Sequence, residues 1–467
     1  MRGKIPFAPH IIIFLYTEEI MFKKGVVPSQ GLRIIIVGCG KVGRTRVEQL
    51  GKEGHDRTLV DKNRERISQV SNIYDVMGIA GNGASYKILQ EAGIDDADLI
   101  IAVTGSDELN LLCCTIATQV GKCAAIARVR TPEYSQEAKY LRDKLGLALI
   151  INPELEAAIE MAHILHLPSS LEVTNFAHGQ AQLIKYEIPE GSILDGTKLM
   201  DLGTRHHANI LIGAVERDDE VTIPSGDFVL RKGDKLSFVG ERRHTKEFFS
   251  HIGVNTHSVK NTLIIGGGKA AYYLAKQLIS RGIKVKIIEN SFERCEELSI
   301  LLPDAVIING DGTEQALLKE EGIETCQSFV PLTGIDEENI MLTLYAKQVS
   351  NAKVITKLNR ITFTNVINSL DLGSVISPKY ITSEAIIAYV RAKKNSMNCN
   401  IETLYHMYDS RVEAIEFFVS ENSNVTDIPI RDLKLKKHLL ICFINRNGKI
   451  IIPTGNDCIQ KNDTVMI

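Results

Sequence analysis

Hydrophobic and polar positions along this chain alternate between two textures, and the alternation is written twice. In the first stretch, short β-branched runs (RIIIVG, DRTLVD, DVMGIAG, LIIAVT and AAIARV) are separated by segments whose apolar residues recur at helical spacing. Helices are predicted after Gly40 and Asp61 and near Ser85 and Asp107. Strands that alternate with helices pair in parallel through right-handed crossovers, which predicts a doubly wound sheet. The next stretch carries AQLIKYEI, ILIGAVER and KLSFVG, with turns at Pro189-Glu190-Gly191, Pro224-Ser225-Gly226 and Lys232-Gly233-Asp234. That pattern predicts a small α+β module of roughly 70 residues.

The whole arrangement then recurs. IIIVGCGKVG is answered by LIIGGGKAAYYLA, GNGASYKILQEAGI by GDGTEQALLKEEGI, and IPSGDFVLRKGDKLSFV by IPTGNDCIQKNDTVMI. Gly38 corresponds to Gly266, Thr104 to Thr333, Pro224 to Pro453 and Asp234 to Asp463, an offset of 228 or 229 throughout. A constant offset over whole elements marks an internal duplication, since chance matches drift. The predicted fold is therefore α/β: two Rossmann-like doubly wound parallel-sheet domains, each followed by a small α+β domain. The expected boundaries are an N-terminal extension at 1–30, poorly ordered, Rossmann domains at 31–152 and 259–385, and small domains at 166–250 and 398–467. Met21 is a second candidate start.

Composition narrows the classes. The 467 residues are 44% hydrophobic and 24% charged, with a net charge of -3, an ordinary globular mixture without a basic run for nucleic acid. The apolar run IIIFLY near the N-terminus is far shorter than the roughly 20 residues of a spanning helix, and Glu18 and Glu19 follow it. Direct membrane insertion is not expected. Nine cysteines occur without a CxxC pair, which fits a reducing compartment and argues against a structural zinc site.

The chemistry sits in the glycine turns. Gly38-Cys39-Gly40-Lys41-Val42-Gly43 follows a strand, opens a helix, and has Asp61 ending the next strand 23 positions after Gly38. Gly38 permits the tight turn, Gly40 lets a pyrophosphate approach the backbone, and Gly43 lets helix and strand pack closely. The helix N-terminus favours the anion. Asp61 would accept from a ribose 2′-hydroxyl and repel a 2′-phosphate, which favours NAD over NADP; a turn that only packs is the structural alternative. The second copy offers Gly266, Gly268 and Ala271, with Glu289 at the same 23-position spacing. Cys39, inside the turn, is expected to be either a small filler or a thiol whose pKa the helix end lowers.

Other polar residues cluster at strand ends, where ligands bind in open α/β sheets. Thr104, Asp107, Glu108 and Asn110 follow the fourth strand, and Arg128 and Arg130 end the fifth. These arginines could reach phosphate, cross an interface, or sit on a solvated edge. Arg46 falls on the apolar face of its helix, where it either snorkels or answers a partner's charge. His163, His166, His206 and His207 read as surface or interface residues, because no third ligand is spaced to complete a metal site. A dehydrogenase also needs a substrate domain with an acid or base beside the nicotinamide. The duplication uses up the chain, so binding without catalysis is expected and no metal or catalytic residue is assigned.

The order of domains, with GIDDADLIIAVTGSDELN, IARVRTPEY, VTNFAHGQ and SVISPKY added to the glycine turns, resembles the TrkA family of Trk potassium uptake proteins. That family is built of tandem RCK domains, each followed by a TrkA C-terminal domain, and the likeness covers about residues 31–467. The resemblance implies a cytoplasmic, homo-oligomeric ring held at the inner membrane face by a potassium-translocating subunit of Trk or Ktr type. It implies NAD or NADH at the first site, and NAD or ATP/ADP at the second. The family's nucleotide-binding positions carry over as Gly38, Gly40, Gly43, Asp61, Thr104 and Arg128, then Gly266, Gly268, Glu289 and Thr333. The chain departs from the family pattern at Arg46 and Ala271, and has Lys357 and Asn359 where the first copy has Arg128 and Arg130. A free-standing nucleotide or redox sensor, or an NAD-dependent oxidoreductase, are the competing classes.

Overall fold

A strand such as RIIIV is apolar on both faces, so it needs cover above and below, and four of its five residues are buried. The computed structural model describes residues 31–467 except 122, 206–208, 255, 360–366, 368–369, 395–398, 409–410, 420–424 and 436–437. Residues 1–30, expected as an extension, and His206 and His207 thus lie outside the described residues.

The first parallel sheet consists of β1 (Arg33–Val37), β2 (Asp56–Asp61), β3 (Met77–Ala80), β4 (Leu99–Ala102), β5 (Ala124–Arg128) and β6 (Leu149–Ile151). Its order is β3-β2-β1-β4-β5-β6, so the chain reverses direction across the sheet between β1 and β4. An antiparallel module follows, with β7 (Glu172–Phe176), β8 (Ala181–Glu187), β9 (Ile210–Arg217), β10 (Glu220–Thr222) and β11 (Lys235–Glu241). Its order is β10-β9-β11-β8-β7. The second half repeats both. Its parallel sheet comprises β12 (Asn261–Ile265), β13 (Lys284–Glu289), β14 (Val306–Asn309), β15 (Ser328–Pro331), β16 (Lys353–Lys357) and β17 (Ser374–Ile376). Its antiparallel module comprises β18 (Cys399–Met407), β19 (Val412–Val419), β20 (Phe443–Arg446), β21 (Lys449–Ile451) and β22 (Thr464–Met466). Strand orders match those of the first half element for element. The runs read from the sequence do not include β6, β7 or β10: β6 and β10 are three residues long, and β7 carries the polar residues Glu172, Thr174 and Asn175.

The two halves are interlocked by exchanged helices. Helix Pro153–His166 leaves the first Rossmann unit and packs on helix Lys269–Ile279 of the second, burying Ala158, Met161 and Leu165 in one core with Ala271, Leu274 and Leu278. Helix Pro378–Lys394 leaves the second unit and packs on helix Lys41–Lys52 of the first, with Ile386 and Val390 among Ile36, Val47 and Leu50. Each fully buried aliphatic side chain contributes roughly 1.5–3 kcal/mol, so the exchange ties the halves firmly. Arg46 resolves here. Its guanidinium is fully buried and donates to Gln49 at 2.8 Å, to the Lys379 carbonyl at 3.2 Å and to the Ser383 hydroxyl. It neither snorkels nor waits for another subunit: it anchors the returning helix.

The antiparallel modules pack face to face, with Phe176 and Phe443 edge-on at 6.5 Å. Each module carries the same internal clamp. Arg217 grips Asp234 through two bonds of 2.6 Å, and Arg446 grips Asp463 at 2.9 and 2.8 Å. Planar guanidinium against carboxylate is the strongest polar geometry available to side chains.

Candidate nucleotide site

The first glycine turn leaves a helix end without a side-chain cap. Helices starting after Asn63, Ser106 and Asn152 have a cap oxygen accepting from the first-turn amides, whereas helix Lys41–Lys52 starts at Gly40 and has none. Its first-turn N–H groups and dipole are therefore left for a group from outside the helix, and an anion suits them. Gly38 has φ 108°, which only glycine adopts freely. A Cβ on Gly43 would lie 1.9 Å from the Gly38 carbonyl oxygen, so helix and turn touch as the fingerprint demands. A Cβ on Gly40 would meet nothing within 4 Å; the space in front of it is open. The side chains of Lys41 and Val42 lie outside the described residues.

Asp61 closes the turn from the next strand. One carboxylate oxygen accepts from the Cys39 amide at 2.5 Å and the other from Asn63 at 2.8 Å. Each oxygen keeps a lone pair for a further donor. Cys39 is buried, its thiol donates to the Arg66 carbonyl, and burial pushes its pKa up, with Arg44 only partly offsetting this. Of the two readings of Cys39, the small filler is the one that fits: the residue is buried, and burial raises rather than lowers its thiol pKa.

The Thr104 loop is held by a buried asparagine. Asn110 accepts from the Thr104 amide at 2.8 Å and hydroxyl at 2.7 Å, and donates to the Arg128 carbonyl at 2.8 Å. This fixes β4 and β5 ends in one geometry. Asp107 does similar work, accepting from the Arg130 amide at 2.8 Å and from the Thr131 amide and hydroxyl at 2.7 Å. Burial alone would raise its pKa; these bonds hold it below the ordinary value. Asp107 and Asn110 are thus the frame, not ligand contacts. Arg128 differs. It donates to the Thr104 carbonyl, its Nε is buried without a partner among the described residues, and burial followed by the Arg130 charge pushes its pKa down to about 10. A half-stripped cation of this kind is stabilised by an incoming anion.

These groups meet in one cleft of about 540 Å³, within the size range of small-molecule sites. Gly38, Gly40, Asp61, Thr104 and Arg128 all line it. So do Lys62 and Arg66 beside Asp61, Glu154 from the exchanged helix and Lys379 from the second unit, none singled out in the sequence, and Asn359, noted there only as the counterpart of Arg130 in the second copy. Arg66 had a detectable signal, since the repeat places Arg294 at its counterpart. Asn359 and Lys379 had none, because their approach depends on the helix exchange. Glu154 carries a buried Oε2 without a partner among the described residues, and its charge is felt by both Arg128 and Lys357.

The second turn has the same skeleton with its polar groups turned inward. Gly266 has φ 93°, Glu289 accepts from the Gly267 amide at 2.6 Å, and Asn339 repeats the clamp on Thr333 at 3.0 and 2.9 Å. Gly268 again faces open space and Ala271 is fully buried, its methyl accommodated where Gly43 admits none. Arg294 donates to the Gly267 carbonyl at 2.7 Å and Lys357 to the Leu332 carbonyl at 3.1 Å. Among the described residues no cluster of three metal-ligating side chains occurs, and no helix is long and apolar enough to cross a membrane.

Residues 34–153 and 262–378 match the TrkA-N domain, and 183–253 and 414–467 match the TrkA-C domain. The chain is 32% identical over 444 residues to Trk system potassium uptake protein TrkA homolog 1 of Methanosarcina mazei, covering 93% of this chain and 97% of that protein. The chain belongs to the TrkA family. TrkA of Haemophilus influenzae is 30% identical over 440 residues, with 93% and 95% covered. Among solved structures, the GsuK RCK domain superposes with a TM-score of 0.64 at 18% identity, covering 97% of this chain and 94% of that one. The GsuK channel bound to NAD gives 0.63 at 17%, covering 94% and 77%. At such identities the likeness is one of fold: tandem RCK units. Membership makes the chain a potassium-uptake regulatory protein with nucleotide-binding domains, not an enzyme.

Proposed function

We propose that the first Rossmann unit binds NAD or NADH, and that the chain passes its occupancy to a membrane potassium-translocating subunit of Trk or Ktr type. The observation that carries this reading is the composition of the cleft. Its glycine turn, Asp61 and Arg128 come from the first unit, while Asn359 and Lys379 come from the second. A ligand seated there touches both halves, so it can favour one angle between them. Coupling needs only a difference in affinity between two arrangements, typically about 1–3 kcal/mol.

The residues present fit a dinucleotide. Pyrophosphate would lie on the uncapped amides at Gly40 with Arg128 nearby, and a ribose hydroxyl would donate to Asp61. That a GsuK channel of the same fold has been solved bound to NAD supports the choice of ligand. Lys62 and Arg66 beside Asp61 reduce its repulsion of a 2′-phosphate, so NAD is preferred by a modest factor. The second turn, whose Arg294 holds the Gly267 carbonyl and whose Lys357 is a point charge where Arg128 offers a planar fork of donors, takes NAD or ATP/ADP more weakly. The nucleotide acts as a signal rather than a reactant, the protein assembles as a homo-oligomeric ring, and it reaches the cytoplasmic face of the membrane through its partner.

The test is a nucleotide panel by calorimetry on the purified chain. Binding of NADH that is weakened in Gly40→Asp and in Lys379→Gln supports the reading. Binding indifferent to Lys379 would remove the coupling between halves.

A further inference from the structure

Where the exchanged helices end, the two halves stop being alike. In one half the junction is a closed ion cluster: Arg391 lies 2.7 Å from Glu53 and 3.3 Å from Glu413, and His406 lies 3.1 Å from Glu413. The duplication supplies a counterpart for each member. Glu53 precedes Gly54, φ 75°, as Arg281 precedes Gly282, φ 76°. Arg391 follows Pro378 at the same interval as His166 follows Pro153. His406 faces Glu413 across β18 and β19, as Asn175 faces Gln182 across β7 and β8. Neither carboxylate stands at the second junction: Arg281 occupies the place of Glu53 and Gln182 that of Glu413.

Arg242 and Lys246, on helix Arg242–His251, add two more cations, both exposed at the mouth. Among the described residues, neither they nor Arg281 pair with a carboxylate. His163 and His166 feel this directly. Burial, then the charges of Arg281 and Arg242, pushes His163 down to about 4, and His166 is lowered by burial, Arg242, Lys246 and Arg281. Between these groups lies a cavity of about 20 Å³ lined by His163, His166, Gln182, Arg242, Thr245 and Lys246. Thr245 is fully buried, yet its hydroxyl has no partner among the described residues. A buried donor without an acceptor is costly, and uncompensated cations around it point to one missing component.

We propose that this junction binds a phosphate-class oxyanion, at a site separate from the nucleotide cleft. One oxygen would enter the cavity, which has room for about one water-sized atom, and accept from Thr245 and the histidines. The remaining oxygens would stay under Arg242, Lys246 and Arg281. The shared chemistry is a phosphate oxygen in the cavity under three cations, and the occupant proposed is free inorganic phosphate, the smallest ligand that supplies it. Bound there, it joins the first exchanged helix, the first antiparallel module and the second Rossmann unit, as Glu53 and Glu413 join their counterparts.

Calorimetric titration of inorganic phosphate into the full chain tests this. Gln182→Glu restores the carboxylate of the other junction, so it should reduce phosphate affinity at least tenfold and leave NADH affinity unchanged. The exposed double variant Arg242→Gln/Lys246→Gln should weaken phosphate similarly without altering the fold. Phosphate held in the glycine cleft would survive both changes, which separates the two sites. The proposal fails if wild type takes up no phosphate at millimolar concentration, if both variants bind it as wild type does, or if equal chloride displaces it fully, marking an adventitious ion only.

Discussion

The guanidinium of Arg391 lies 2.7 Å from the carboxylate of Glu53, although 338 residues separate them in the chain. The contact joins the helix that leaves the second Rossmann unit to the end of the first helix of the first unit. Both side chains are largely buried, at 17% and 20% exposed. Removing one partner of such a pair leaves the other charge stranded. Arg391→Ala should therefore cost roughly 3 kcal/mol in urea unfolding. A loss below about 1 kcal/mol, the level of a surface pair, would mean the junction is solvated.

The same junction predicts a pH dependence. Burial would lower the His406 pKa, but its bonds to Glu384 and Glu413 overcome this and raise it to about 9. The folded value lies above the unfolded one, so the stabilisation is complete below about pH 6.5 and is lost as pH rises through 9. The expected contribution is on the order of 3 kcal/mol. Denaturant midpoints of wild type should fall between pH 6.5 and 9, and His406→Asn should flatten the curve. Parallel curves for the two proteins would contradict the assignment.

Two glycines of one turn should behave in opposite ways. Gly43→Ala places a methyl 1.9 Å from the Gly38 carbonyl, so the turn must open, and an overpacked contact of this kind costs about 1–3 kcal/mol. Gly40→Ala meets open space and should leave the melting temperature nearly unchanged while weakening NADH. Thermal melts and binding isotherms of the pair check this; equal destabilisation by both would count against the described turn.

The duplication, the doubly wound sheets and both acids of the turns were legible in the chain, because a fixed offset and a glycine fingerprint are local signals. The helix exchange was not. Nothing in the periodicity of residues 153–166 or 378–394 says which copy they will cover, since either first helix offers a similar apolar stripe. Arg46 stood out as a charge on an apolar face, but its partner Ser383 lies 337 residues away. For the same reason Lys379 and Asn359 were missed in the cleft. Asp107 and Asn110 were seen at the right place, but only geometry showed that they brace the loops.

Asp61 sets cofactor choice in this account. Asp61→Ala should weaken NADH and narrow its advantage over NADPH, with a small loss of stability of about 1 kcal/mol from the Cys39 amide bond. Equal wild-type affinity for the two cofactors would show that Lys62 and Arg66 cancel the carboxylate.

The central claim is that a nucleotide in the first cleft controls potassium movement through a membrane partner. The direct measurement is potassium flux through vesicles containing the partner translocating subunit and this chain, as NADH is titrated. The account predicts that flux changes with NADH for wild type and stays flat for Gly40→Asp, whose carboxylate occupies the pyrophosphate position. Flux that ignores NADH, or that responds equally in Gly40→Asp, would contradict it.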